Sequence, residues 1–125
     1  MEAANRALQF AYPRRRVARA VLHRLAWMAL NVLSHIEVIG RENLPTEGPL
    51  IVVGNHFSFA DPACLVAISP WPIEFLGGFR MPNAPSYVTW IPRIWGYFPV
   101  FRGTGSRDAL RAAEGVLKQK GILGI

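Results

Sequence analysis

"LIVVGNHFSFADPAC", residues 50–64, decides how this chain is read. Its first four residues are a continuous apolar, β-branched run, which suits a strand buried on both faces in a parallel sheet. Gly54, Asn55 and His56 follow at the carboxyl end of that strand, where sites collect in open α/β sheets. Asp61-Pro62 reads as a helix start, with an acidic cap and then a proline in the first turn. Four loop residues separate His56 from Asp61. A loop of that length can fold back so that the carboxylate meets the imidazole ring.

Working outward, the same alternation recurs. "ACLVAI", residues 63–68, continues the helix, and "PWP", residues 70–72, ends it. "IEFLGG", residues 73–78, is a second strand. Residues 85–95 carry a helical pattern broken by Pro92 and rich in Trp90, Ile91, Ile94 and Trp95. "YFPVFRG", residues 97–103, is a third strand candidate. Residues 107–120 form the clearest helix, with Leu110, Ala113 and Leu117 on one face and Arg107, Arg111, Glu114 and Lys118 on the other. Ser106 suits its cap, Asp108 its first turn and Gly121 its C-cap. "ILGI", residues 122–125, is one more apolar strand. Before the opening stretch, Ile36 and Val38 alternate with polar residues as in a short strand, and "NLPTEGP" is a turn-rich connection. Strands and helices in alternation argue for an α/β fold.

The chain has 125 residues, one small domain in size, and is 51% hydrophobic and 18% charged. Such a composition excludes a disordered chain and supplies a core. The single cysteine, Cys64, excludes an internal disulfide and a cysteine-only metal cluster, and it reads as a small buried thiol. No metal site is expected. The net charge of +6 points to nucleic acid, anionic membrane surfaces or acidic substrates. There is neither zinc-finger spacing nor an aromatic RNA-binding strand pattern, so nucleic acid is set aside.

The basic residues concentrate near the N-terminus. Arg14, Arg15 and Arg16 are contiguous and lead into "VARAVLHRLAWMALNVL", residues 17–33, while residues 1–12 read as a frayed lead-in. Val17, Val21, Leu25, Met28 and Val32 share one helical face. The uncharged part, Leu25 to Leu33, falls short of the ~20 residues needed to span a bilayer. Two readings stay open. One is an ordinary amphipathic helix packed on the domain. The other is an interfacial helix whose arginines, Arg16, Arg19 and Arg24 among them, meet anionic headgroups while Trp27, Met28 and the leucines enter the acyl boundary. The second reading gives residues 1–35 as a basic amphipathic membrane-interface helix, and residues 36–125 as the catalytic part.

For chemistry, a histidine supplies a base near neutrality, and a carboxylate partner fixes its tautomer and stabilises the imidazolium. The alternative for His56 and Asp61 is a loop histidine beside a capping aspartate. Nothing resembles a serine or cysteine nucleophile motif, so His56 would act on a substrate hydroxyl directly. Arg80 follows a strand and reads either as part of an anion-binding patch or as a solvated charge.

"NHFSFADP" resembles the Asn-His-x-Ser-x-x-Asp motif of the glycerolipid acyltransferase family. "GRENLPTEGPLIVVGNH" looks like the family's lead-in to that motif. "GYFPVFRG" resembles its second motif, a glycine and an arginine flanking an apolar segment, here Gly96 and Arg102. "ALRAAEGVLKQKGILGI" looks like the helix and strand that precede the third motif, Phe-Pro-Glu-Gly. The resemblance runs from Gly40 to Ile125, and on it the chain is the N-terminal part of an acyltransferase domain, cut before that third motif. It implies a partial acyltransferase-type mixed sheet flanked by helices, with the N-terminal amphipathic helix beside it.

The resemblance further implies that His56 is the general base and that Asp61 orients and charges it. The acyl donor would be acyl-CoA or acyl carrier protein, a co-substrate, with no bound cofactor. The acceptor would be 1-acyl-sn-glycerol 3-phosphate at the cytoplasmic face of a membrane. Arg102 would hold its phosphate, since a guanidinium makes bidentate, permanently charged contacts to phosphate oxygens. A surface ion pair is the other reading of Arg102. Asn55 and Ser58 would hold the loop by local hydrogen bonds. Gly96 reads as a backbone requirement more than a contact. Another lysophospholipid or glycerol 3-phosphate as acceptor, and an inactive membrane-binding fragment, stay open beside this.

Overall fold

A computed structural model describes residues 10–58, 60–77, 85–100 and 107–125, apart from the side chains of residues 87 and 88. Arg80, Arg102 and Ser106 therefore lie outside the described residues. In chain order the elements are α1 (Arg16–Leu33), a 3-10 turn (Arg41–Asn43), β1 (Leu50–Val52), α2 (Asp61–Ile68), β2 (Glu74–Gly77), α3 (Ser86–Trp95), β3 (Tyr97–Pro99), α4 (Arg107–Lys118) and β4 (Ile122–Gly124). The chain is α/β, as its alternation of strands and helices predicts.

The four strands lie in the order β1-β4-β2-β3, and every pair is parallel. The expected mixed sheet is thus corrected to a parallel one among the described residues. β4 pairs with β1 through Leu50 opposite Ile122 and with β2 through Glu74 opposite Leu123. It is the fully buried strand, and Ile122 and Leu123 are core residues. β1, read as buried on both faces, is instead an edge strand with Ile51 49% exposed. Its continuous apolar run carries no face preference, so the sequence could not separate a central strand from an edge. With right-handed crossovers, the connections through α2 and α3 fall on one face of the sheet and α4 on the other. α1 packs against α2 and α3, and α4 packs on β4, β2 and β3.

Local chemistry explains the element ends. α4 finishes in a Schellman motif: Lys120 is left-handed at φ 56°, Gly121 N–H donates to Val116 O at 2.9 Å, and Lys120 N–H donates to Leu117 O at 3.0 Å. The left-handed residue is Lys120, one before the expected Gly121. Gly121 is needed for space, because a Cβ there would lie 2.7 Å from Val116 Cγ1 and 2.8 Å from Val116 O. α3 runs through Pro92 to Trp95 without a break. Trp95 anchors its end, buried, with its indole N–H donating to Ile73 O at 2.9 Å.

Three further expectations are corrected. The buried stripe of α4 is Ala109, Ala112 and Val116, and Leu110 is 71% exposed. Residues 35–40 form no strand. Ile36 and Val38 instead close a groove with Trp27 and Leu30 of α1 and with Ala67 and Ile68 of α2. Residues 10–12 are tied down: Tyr12 hydroxyl donates to Pro72 O at 2.8 Å, and Gln119 bonds Tyr12 N and Phe10 O at 3.0 Å each.

The largest departure concerns the N-terminal arginines. Arg19 points inward, 2% exposed, and meets the fully buried Glu74 through two bonds of 2.7 and 2.8 Å. Its Nε donates to Trp95 O at 2.9 Å and its Nη2 to Gly96 O at 3.2 Å. Arg14 joins from the other side at 2.7 Å, with its guanidinium 3.8 Å over the Phe98 ring. Burial pushes the Glu74 carboxyl up, but the Arg19 and Arg14 donors outweigh it and hold the group below its ordinary range. Arg15 donates to the carbonyls of Arg93 and Ile94. Arg19 thus ties α1 to β2 and to the end of α3, and Arg14 and Arg15 tie the residues just before α1 to the same two elements.

Candidate functional site

In a parallel sheet all strands finish at one edge, and the chain leaving β1 there carries the motif residues. The loop turns because one carboxylate collects its donors. Asp61 Oδ2 accepts the backbone N–H of Phe57 at 2.5 Å, that of Ser58 at 2.7 Å, and His56 Nδ1 at 3.0 Å. Asp61 was read as a cap for its own helix; instead it opens α2 and reaches back into the loop, while Ala60 holds the N-cap position without a side-chain bond. Pro62 follows in the first turn, as its fixed φ allows. Ser58 Oγ accepts from Ala60 N–H at 3.2 Å and stiffens the turn.

These donors set the electrostatics. The Ser58 amide, then the His56 ring and the Phe57 amide, hold the Asp61 carboxyl below its ordinary range. An ionised carboxylate only accepts hydrogen bonds. His56 Nδ1 must therefore donate, and the neutral ring carries its free lone pair on Nε2. His56 is 67% exposed, so Nε2 is open to an incoming molecule. The arrangement can take a proton at Nε2 and stabilise the resulting imidazolium through Asp61.

The other motif residues fall differently. Asn55 is exposed in the same loop, with no side-chain hydrogen bond among the described residues. Its expected loop-holding role belongs here to Asp61 and Ser58. Gly96 is buried just before β3, at the opposite edge of the sheet from His56, with φ 79°. A Cβ on Gly96 would meet the Arg15 guanidinium at 3.3 Å, and its carbonyl accepts from Arg19. The structure thus gives Gly96 a backbone role. Arg102 is beyond β3 and outside the described residues. Cys64 is half-buried on α2 and free. Among the described residues no three His, Cys, Asp or Glu side chains gather to hold a metal ion.

Sequence reasoning missed Glu74. Its signal was a single acid inside the apolar strand "IEFLGG" of a strongly basic chain. It also passed over Phe57, which stands 89% exposed next to His56.

A family model described as Acyltransferase matches residues 35–125. No curated protein and no solved structure matches the chain. No described helix is long and apolar enough to cross a membrane.

Proposed function

The chain belongs to the acyltransferase family, and from that premise we infer that His56 is the general base for transfer of a fatty acyl group to the free hydroxyl of 1-acyl-sn-glycerol 3-phosphate. The reading rests on the 3.0 Å contact from Asp61 to His56 Nδ1, which leaves Nε2 as the basic atom. Nε2 takes the acceptor's hydroxyl proton as the oxygen attacks the thioester carbonyl of acyl-CoA or acyl carrier protein. A C–O bond forms, the C–S bond breaks, and the imidazolium returns its proton to the departing thiolate. Asp61 stabilises the imidazolium between these two steps. Arg102 is assigned to the acceptor's phosphate by its motif position and its chemistry. The site works at a membrane surface on the cytoplasmic side, where both lipid acceptor and product reside.

The test is release of free coenzyme A from acyl-CoA with lysophosphatidate as acceptor. The wild-type chain releases the thiol, and His56→Ala loses about 10²–10⁴-fold of that rate with its circular dichroism unchanged. Retention of full activity by His56→Ala would falsify the assignment. Faster release with glycerol 3-phosphate or another lysophospholipid keeps the chemistry and reassigns the acceptor. No release from the wild-type chain, together with vesicle binding, identifies an inactive membrane-binding fragment.

A further inference from the structure

Phe57 is the most exposed of the large apolar side chains among the described residues, at 89%. It follows His56 directly, so their Cα atoms lie about 3.8 Å apart. Its backbone is held in place. Asp61 Oδ2 accepts both the Phe57 N–H, at 2.5 Å, and His56 Nδ1, at 3.0 Å. One oxygen atom thus sets the aromatic residue and the imidazole relative to each other. The approach to the pair is open and apolar. Val53, at the end of the run that leads into the loop, is 74% exposed, and Ile51, two residues before it, is 49% exposed. A Cβ on Gly54 would meet nothing within 4 Å. A single exposed apolar side chain on a surface needs no explanation. Here exposed apolar residues stand on both sides of the base along the chain, at the sheet edge where the polar groups of the site collect. Ligand sites combine mostly apolar walls with a few placed polar groups in this way.

We propose that Phe57 is the specificity residue for the fatty acyl chain of the thioester donor. Its ring packs on the first methylenes beyond the thioester carbonyl and sets that carbonyl before His56 Nε2. A phenyl ring offers the broad apolar face this needs. The choice of chain follows from the chemistry. The donor's chain starts at the reacting carbonyl carbon itself. The acceptor's chain is separated from the reacting hydroxyl by glycerol carbons and an ester. The residue next to the base therefore meets the donor's chain first. One ring covers only a few methylenes, so its contribution rises over the shortest chains and then levels off. The proposal rests on the acyl-transfer reading above and names what recognises its donor.

Titration of the full chain with acetyl-CoA and with decanoyl-CoA, without acceptor and followed by amide NMR, tests it. Wild type binds decanoyl-CoA about tenfold or more tightly than acetyl-CoA. Phe57→Ala loses most of that preference and binds acetyl-CoA like wild type, and Phe57→Leu keeps most of it. The Ser58 amide signal of Phe57→Ala stays in place, because alanine retains the N–H that Asp61 holds. The same variant leaves unchanged the difference between lysophosphatidate and glycerol 3-phosphate in a parallel titration. An equal chain-length preference in Phe57→Ala and wild type overturns the proposal. So does an equal loss for both donors, which marks a merely structural role, or a loss that follows the acceptor's chain. A wild-type chain that binds neither donor overturns it as well. Failure of the acyl-transfer reading is read separately, as thiol release that survives His56→Ala, and failure of this one in the donor titration.

Discussion

Asp61 concentrates three jobs in one oxygen atom. Oδ2 closes the loop through the Phe57 and Ser58 amides and orients His56. Asp61→Asn separates these jobs: an amide oxygen can still accept from the loop, but a neutral group cannot stabilise an imidazolium. The expected result is a fall of about 10²–10⁴-fold in kcat with a smaller change in KM, read by thiol release. The pH dependence has a definite sign. The folded carboxyl lies below its ordinary range, so its hold on the loop is complete above the unfolded carboxylate pKa. It is lost as pH falls through the lower folded value. Amide NMR of Phe57 and Ser58 reads this loss directly. Both partners of the contact were legible in the sequence, because a histidine and an aspartate lie on one short loop. Asp61's backward reach was not, since a cap signal does not tell which amides the carboxylate will find.

Among the elements, α1 and β2 are joined by an ion pair with hardly any solvent access. Glu74→Gln leaves Arg19 charged, buried and without its counter-charge, at an expected cost of about 3–5 kcal/mol in unfolding experiments. Glu74→Leu combined with Arg19→Met removes the two fully buried charges, leaves the part-exposed Arg14 to solvent, and recovers part of that loss. Since Glu74 is held below its ordinary range, its stabilisation is present above the unfolded carboxylate pKa and disappears as pH falls through the folded one. The thermal midpoint of wild type therefore falls on acidification, and that of the doubly apolar variant falls less. The sequence showed α1 as a helix and placed the strands at residues 50–53, 73–78, 97–103 and 122–125 within a few residues. It gave no register between elements. Arg19 meets an acid far along the chain, and α4 buries Ala109 and Ala112 in place of Leu110 because small side chains let it approach the sheet closely.

For the molecule as a whole, the family match begins at residue 35, yet the core draws on residues before it. Arg14 and Arg19 satisfy Glu74, and Tyr12 reaches Pro72. A chain of residues 35–125 is expected to lose its cooperative thermal transition, measured by calorimetry or near-UV circular dichroism, because Glu74 loses both counter-charges and α2 and α3 lose the helix that packs on them. Strand order was the least legible property. Leu50 pairs with Ile122, and no local pattern reports a contact of that separation. That central strand also shapes how the chain is born. On the ribosome, the segment that ends in His56 has no neighbour among the described strands of the sheet until Ile122–Gly124 follow it out of the exit tunnel. Throughout that interval its backbone groups are open to a passing strand, which makes the stretch an aggregation hazard during synthesis.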